Sequence, residues 1–202
     1  MAKIQLRDLR ELSVVVVHPP DRDGALVLDQ LRRIGCRTEA AWPPPRALPA
    51  HVDVIFLGIS QDHQKALTRM LKRSEAPRPA VIALVDFENP ATLQLVLDIE
   101  AVAVVSKPVR PFGILTNLVV ARNAWLEQHA LNDRIAKLEA RLSGQKRIAK
   151  AKSILMETQG ISEKDAYRTI RSQAMTKRVA IEDMAIAIIN ANELLSSRPN
   201  DV

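Results

Sequence analysis

Short runs of consecutive apolar residues recur through the first half of the chain. Four of them, residues 13–17, 52–59, 80–85 and 102–105, are largely apolar at neighbouring positions and rich in β-branched side chains. Because successive side chains of a strand point to opposite faces, such runs are typical of strands with helices packed on both sides. Residues 37–41 form a fifth predicted strand.

The segments between these strands show the spacing of amphipathic helices. Residues 25–34, 65–73 and 90–99 each predict a helix, and Gly35 supplies a stop for the first of them. An alternation of strands and helices is typical of a doubly wound α/β domain, in which right-handed crossovers join parallel strands. We therefore predict a five-stranded, doubly wound parallel sheet in the first half and helices alone in the second.

From residue 111 onward the pattern becomes purely helical. Leu131, Ile135, Leu138 and Leu142 are spaced four, three and four apart, as in the apolar seam of a coiled coil, and charged residues flank them. We predict that two chains pair through this seam, in parallel or antiparallel orientation. The alternative is a helix that lies on its own domain. Gly144 is predicted to mark the joint with the C-terminal part, although a single glycine need not break a helix.

Residues 145–195 predict three short helices with basic residues mainly on the first two. Gly160 supplies a stop for the first, and Ser162, three residues before Asp165, has the spacing of an N-terminal cap for the second. The second helix places its basic residues on one face, opposite an apolar stripe. A packed side and a cationic side on one small helical unit predict a polyanionic partner.

Charge supports that prediction only in part. The 202 residues carry a formal net charge of +6 and a pI near 9.8, and residues 145–182 hold nine Lys and Arg against four Asp and Glu. A cationic surface of this kind suits a polyanion. By charge alone, a merely solvated helical face is an equally good interpretation.

Cysteine usage and hydropathy indicate a cytoplasmic protein. Cys36 is the only cysteine, so no intramolecular disulfide is possible, and no apolar run is long enough for a membrane helix. The four histidines show no ligand spacing, and neither a phosphate-binding loop motif nor a dinucleotide-binding glycine motif occurs. We therefore expect no metal, no cofactor and no enzymatic activity.

The order of elements in the first domain resembles the receiver domain of bacterial two-component response regulators. That resemblance implies two carboxylates after the first strand, a phosphoacceptor aspartate at the end of the third and a hydroxyl residue after the fourth. Here these positions hold His18 and Pro19, Gly58, and a residue at or beside Val85, and only the Lys107-Pro108 pair is kept. The fold is thus predicted to persist as a scaffold without aspartyl phosphorylation.

The C-terminal part contains a set of residues at fixed spacings. They are IAKAKSILM at 148–156, GISEKDAY at 160–167, Arg171, Ala174-Met175, Ile181, Asp183 and Ala185. Together they resemble the ANTAR domain, the RNA-binding module of transcription antitermination regulators. Residues 9–12, 18–20, 34–36 and 42–45 extend the similarity to regulators of amidase operons, which join a degenerate receiver to a coiled coil and an ANTAR unit.

The resemblance implies a domain organisation and a mechanism. Residues 1–112 would be a pseudo-receiver, 113–143 a coiled-coil dimerisation helix and 144–198 the ANTAR domain. The dimer would bind stem-loops in a nascent leader RNA and prevent the terminator from forming. Control would come from sequestration by a ligand-sensing negative regulator of the periplasmic-binding-protein type rather than from phosphorylation.

The resemblance also implies which side chains meet RNA. Phosphates would be contacted by Lys146, Arg147, Lys150, Lys152, Arg168, Arg171, Lys177 and Arg178. Tyr167 is the only aromatic residue available to stack on a loop base, although a core position between helices is the favoured interpretation. Two alternatives stay open: a DNA-binding transcription factor of the response-regulator kind, and a dimeric scaffold that binds only proteins.

Overall fold

The computed structural model describes residues 6–74, 77–86 and 89–196, and the chain divides into two compact units, Met1–Leu131 and Asn132–Val202. The ends of the predicted domains, residues 1–5 and 197–198, lie outside the described residues. A short 3-10 helix, Leu6–Glu11, precedes the sheet. The other elements are β1 (Ser13–Val17), α1 (Arg22–Ile34), β2 (Arg37–Ala41), β3 (Val54–Gly58), α2 (Gln64–Lys72), β4 (Ala80–Val85), α3 (Pro90–Asp98), β5 (Ala103–Ser106), α4 (Pro111–Gln159), α5 (Glu163–Lys177) and α6 (Ile181–Ser196).

The five strands form one parallel sheet in the order β2-β1-β3-β4-β5. This strand order is the doubly wound arrangement of flavodoxin and receiver proteins, so the predicted fold class is confirmed. Strand β3 occupies the centre, and all five of its residues are buried.

Apolar cores lie on both faces of the sheet, because neighbouring strand residues alternate between them. On one face Val14 and Val16 pack with Leu31 of α1 and Leu118 of α4. On the other face Val15 and Val17 join side chains of α2 and α3. The apolar strand runs in the sequence therefore reflect burial on two sides.

Helix ends follow local capping chemistry. Helix α1 begins three residues before its predicted start, because Asp21 caps it by accepting a hydrogen bond from the Gly24 backbone N–H at 2.9 Å. Gly35 ends α1 with φ of 97°, and Gly160 adopts φ of 65° after α4, as predicted for both glycines. Ser162 caps α5 as predicted, since its side chain accepts from the Asp165 N–H at 3.2 Å.

The second unit has its own small core, formed where α4, α5 and α6 meet. Small residues dominate the contact, with Ala151 of α4, Ala166 and Ala174 of α5, and Ala185 of α6 all buried. Ile170 fills the space among them and is fully buried. Small side chains at these positions allow the helix backbones to approach closely.

Gly144 lies within helix α4 and does not break it. The only non-helical residues of α4 are Phe112 and Gly113, near its start. Gly144 is buried, and a Cβ there would lie 2.8 Å from Cγ of Glu182 at the beginning of α6. The glycine is needed for close helix packing rather than for a turn.

An ion pair fixes α4 to the amino-terminal edge of the sheet. Asp53, immediately before β3, accepts hydrogen bonds from Nη2 of Arg122 at 2.8 Å and from the backbone N–H of Ser13 at 2.9 Å. The Arg122 guanidinium lies 4.3 Å from the ring centroid of Trp125, whose Nε1 donates to the Arg78 carbonyl at 2.6 Å. Burial lowers the pKa of Arg122, and the charge of Asp53 opposes that shift.

We expect Asp53→Ala to destabilise the first unit by about 2–4 kcal/mol, because it leaves a largely buried guanidinium without its counter-ion. Both tryptophans, Trp42 and Trp125, lie in the first unit, so urea unfolding followed by tryptophan fluorescence reports this unit in the full chain. The matched control is Asp29→Ala, which removes a surface pair at 3.7 Å to Arg32 and should cost less than about 0.5 kcal/mol. Equal losses of unfolding free energy in the two variants would contradict the stabilising role of the Asp53–Arg122 ion pair.

Candidate nucleic-acid interface

The outer face of α5 presents basic side chains to solvent. Ala166, Ile170 and Ala174 form the buried stripe of this helix. Helical periodicity therefore directs Arg168 and Arg171 away from the core, and both are exposed. Lys164, also exposed, lies one turn before Arg168 on the same face.

Tyr167 belongs to this exposed face, and the expectation of a core position was wrong. Its side chain is 44% exposed. It lies between Lys164, three residues earlier, and Arg171, four residues later, which are its neighbours on a helix. Met175, one turn beyond Arg171, is 70% exposed and adds apolar surface to the same face. An aromatic ring between two cations suits a nucleic acid, because the ring stacks on a base while the cations meet phosphates.

The basic residues of α4 lie on two different flanks of that helix. Lys146, Arg147 and Lys150 line a groove of about 390 Å³ against α6, where Nζ of Lys150 lies 2.8 Å from a carboxylate oxygen of Glu193. Lys152 lies on the other flank and forms an ion pair with Glu163 at the start of α5. The eight predicted cations therefore do not form one continuous surface.

Acidic neighbours offset three of the predicted cations. Besides the pairs made by Lys150 and Lys152, Arg168 lies 3.4 Å from Asp165. The hydrogen bond from Lys152 and its charge lower the pKa of Glu163. In the part of the chain that the structure describes, no ion pair within 4.0 Å involves the other five predicted cations, which are Lys146, Arg147, Arg171, Lys177 and Arg178.

The end of α5 carries two exposed basic residues. Lys177 is the last helical residue, and Arg178 adopts the left-handed conformation with φ of 55°. The backbone N–H of Arg178 closes the helix by donating to carbonyls of the preceding turn. This backbone turn places the Arg178 side chain beside the exposed face of α5.

The predicted seam of α4 is uncovered in the single chain. Leu131, Ile135, Leu138 and Leu142 are between 52% and 57% exposed. Their spacing places them along one side of the helix. Four aliphatic side chains in a row form an apolar strip whose burial requires a second surface.

The position that holds the phosphoacceptor in a receiver is filled by an imidazole. Gly58 ends β3, and a Cβ at this residue would lie 2.6 Å from Cδ2 of His18. His18 is 5% exposed and its Nδ1 lies 2.9 Å from the Pro19 carbonyl. A Cβ at Gly24 would also meet this ring, at 2.9 Å from Nδ1. Two glycines thus make room for His18, and no carboxylate fits at residue 58 without displacing it.

Lys107 has acquired a different partner. Its Nζ lies 3.2 Å from one carboxylate oxygen of Asp86 and 3.3 Å from the other. The sequence identified Lys107 as the one retained receiver residue but gave no signal for this pair. The lysine charge is balanced within the domain, without a phosphoryl group.

Comparison with known families matches both parts of the chain. The family described as AmiR, N-terminal matches residues 12–122, and the ANTAR domain matches residues 136–189. No helix in the described part of the chain is long and apolar enough to cross a membrane.

Similar proteins include three bacterial regulators. The chain is 34% identical to the aliphatic amidase regulator of Pseudomonas aeruginosa over 195 residues, which cover 96% of each chain. It is 21% identical to the transcriptional regulatory protein PdtaR of Mycobacterium tuberculosis over 68% of this chain and 67% of that protein. It is 32% identical to the nitrate regulatory protein of Klebsiella oxytoca over 42% of this chain and 21% of that protein.

Solved structures similar to the chain include response regulators. A response regulator from Thermotoga maritima superposes with a TM-score of 0.43 at 16% identity, covering 55% of this chain and 98% of that chain. A response regulator from Burkholderia pseudomallei gives 0.43 at 13% identity, with 85% and 95% covered.

We expect Gly58→Asp to remain unphosphorylated by acetyl phosphate and Mg²⁺, like the unchanged protein, because His18 fills the space that the new carboxylate needs. The substitution should instead destabilise the first unit by about 1–3 kcal/mol through overpacking. Intact-mass spectrometry and urea unfolding measure the two effects. Removing the ring in His18→Ala/Gly58→Asp should recover part of the loss, since the two side chains then no longer compete. A phosphoryl group on the unchanged protein would contradict the account.

Proposed function

Because the chain belongs to the ANTAR regulators whose first domain is of the AmiR N-terminal type, we propose that it is a cytoplasmic antitermination regulator that binds leader RNA. Its ANTAR unit holds stem-loops of a nascent transcript and prevents formation of a terminator hairpin. The protein acts by binding rather than by catalysis. The observation that carries this proposal is the exposed Tyr167 between Lys164 and Arg171.

The α5 face supplies both kinds of contact that a looped RNA requires. Bases in a loop are unstacked and accept an aromatic ring or a guanidinium plane, which Tyr167 and Arg171 offer one turn apart. Phosphates on either side meet Arg178 and Lys177 at the end of the helix and Lys164 near its start. The groove cations Lys146 and Arg147 contribute charge to the same unit from α4, with Lys150, Lys152 and Arg168 contributing less because acidic neighbours offset them.

Dimerisation completes the proposed mechanism. The strip formed by Leu131, Ile135, Leu138 and Leu142 is apolar and exposed, and a second copy covers it with side chains of matching spacing. A dimer then presents two ANTAR units to two hairpins. Binding the first hairpin raises the effective concentration of the second, so affinity increases without new contacts.

The packing of the receiver-like domain supports control by a partner protein. His18 occupies the space over Gly58, and Lys107 is paired with Asp86, so the domain lacks the geometry for a phosphate switch. The family resemblance supplies the alternative, a ligand-sensing protein of the periplasmic-binding-protein type that sequesters the regulator until the sensor binds its inducer. Similarity to an aliphatic amidase regulator over 96% of the chain supports this assignment.

We expect the full chain to bind an RNA carrying two short-looped hairpins from the leader of an adjacent operon in preference to duplex DNA of the same sequence. Tyr167→Ala should weaken RNA binding by roughly 5- to 100-fold, because one stacked base contributes about 1–3 kcal/mol. Tyr167→Phe is the matched control and should bind within about threefold of the unchanged protein, since it keeps the ring. Arg171→Gln should also reduce the slope of log affinity against log salt by about one. Gel shifts at several salt concentrations measure the affinities of the unchanged protein and of the three variants.

Preferential binding of the duplex would favour the DNA-binding alternative, and no binding of either nucleic acid would favour a scaffold that binds only proteins. Equal RNA affinities of the Tyr167→Ala and Tyr167→Phe variants would show that the Tyr167 ring does not contact the RNA. The proposed phosphate contacts would still stand.

We expect the unchanged chain to sediment as a dimer and the Ile135→Lys/Leu138→Lys variant to sediment as a monomer at micromolar concentration. Two lysines in the apolar strip remove buried area worth about 25 cal/mol per Å² and place like charges opposite each other. Sedimentation velocity gives the oligomeric state. Ala140→Lys is the matched control, because it adds a lysine on the far side of α4 and should leave the dimer intact. A dimer that survives the double substitution would exclude the strip as the interface.

A further inference from the structure

The amino-terminal edge of the sheet, opposite the filled phosphoacceptor position, contains a cavity that the proposed function does not use. It has a volume of about 480 Å³, within the range of small-molecule sites. Its wall comes from the residues that precede β3 and β4, from the start of β2 and from α4. All of the lining residues belong to the first unit.

The charged groups of the cavity are mainly guanidinium groups. Arg37, Arg73 and Arg122 line it, and Asp53 is the one acidic residue among the described residues of the lining. Both oxygens of Asp53 are engaged, one by Nη2 of Arg122 and the other by the Ser13 N–H. Asp53 therefore offsets Arg122, and no further acidic residue of the described lining offsets Arg37 or Arg73.

Neither of those two arginines has an acidic partner among the described residues. Arg37 donates from Nη2 to the Glu11 carbonyl at 2.7 Å, a neutral acceptor that orients the side chain without cancelling its charge. Both residues are exposed, so a ligand reaches them from solvent. Together they give the cavity a positive potential that attracts an anion.

Arg122 adds a rigidly held guanidinium to the cavity wall. Its Nη2 is bound to Asp53, whereas its Nη1 is buried and shielded from the cavity. The ion pair with Asp53 and the contact with Trp125 hold this guanidinium in place before a ligand arrives.

The remaining wall is apolar and flat. Trp125, Pro49 and Pro79 contribute rigid surfaces, and Leu48 and Val52 extend them. We propose that this cavity binds a small organic anion, whose carboxylate or phosphate group meets Arg37 and Arg73, and whose flat apolar body lies against Trp125 and the two prolines. The site is separate from the α5 face, and its ligand contacts the receiver-like unit directly.

A direct test uses Trp125 as the reporter. In the full chain, Trp42→Phe removes the only other tryptophan, so fluorescence reports on the cavity wall. Benzoate, phenyl phosphate and neutral benzamide are titrated at neutral pH, with isothermal titration calorimetry as a second measurement. We expect saturable binding of at least one of the two anions and none of benzamide. The anion that binds more tightly identifies the oxyanion that the site prefers.

Variants locate the binding in the cavity. Arg37→Gln and Arg73→Gln should each raise the dissociation constant of the preferred anion at least about tenfold, because each removes one charge-assisted contact. Both arginines are exposed, so folding is retained, and Arg33→Gln on α1, outside the cavity, is the matched control that should bind normally. Failure of both anions to saturate by about 10 mM, equal binding of benzamide, or unchanged binding in both cavity variants would overturn the proposal.

Discussion

Helix α4 is buried near both ends and exposed between them, and the organisation of the chain depends on that constraint. Ile114, Leu118 and Ala121 belong to a core of the sheet, whereas Ala151 and Leu155 belong to the core of the second unit. Two separate folding units therefore share one continuous helix. The exposed aliphatic residues lie between these two anchored ends.

The receiver-like domain shows how a fold survives the loss of its chemistry. Glycine at residues 24 and 58 and an imidazole at residue 18 are mutually dependent, because either glycine with a side chain would collide with the ring. A buried, packed imidazole thus fills the space beside Gly58, an arrangement that suits a scaffold.

Local patterns predicted the elements of this protein, and long-range contacts explain what they missed. The valine run of β1, the stops at Gly35 and Gly160 and the cap at Ser162 depend on neighbours in sequence, and all were correct. The packing of Gly144 against Glu182 joins residues far apart in sequence, so no local pattern indicated it. Tyr167 lay close to the boundary of the buried stripe, where a shift of one helical position decides between core and solvent. The ion pairs of Lys150 and Lys152 likewise depend on how three helices meet.

These ion pairs change which cations matter for binding a polyanion. A cation already paired with a carboxylate gains less from a phosphate, because its existing partner must be displaced or neutralised first. Lys150, Lys152 and Arg168 are in that state, whereas Arg171 and Arg178 lie on or beside the face that carries Tyr167. The net charge of the ANTAR unit therefore overestimates how strongly the flanks of α4 attract a polyanion. It underestimates the contribution of α5 to binding. Sequence-specific contact requires a ring, a planar cation and an accessible surface together, and in the described part of the ANTAR unit only the α5 face combines the three.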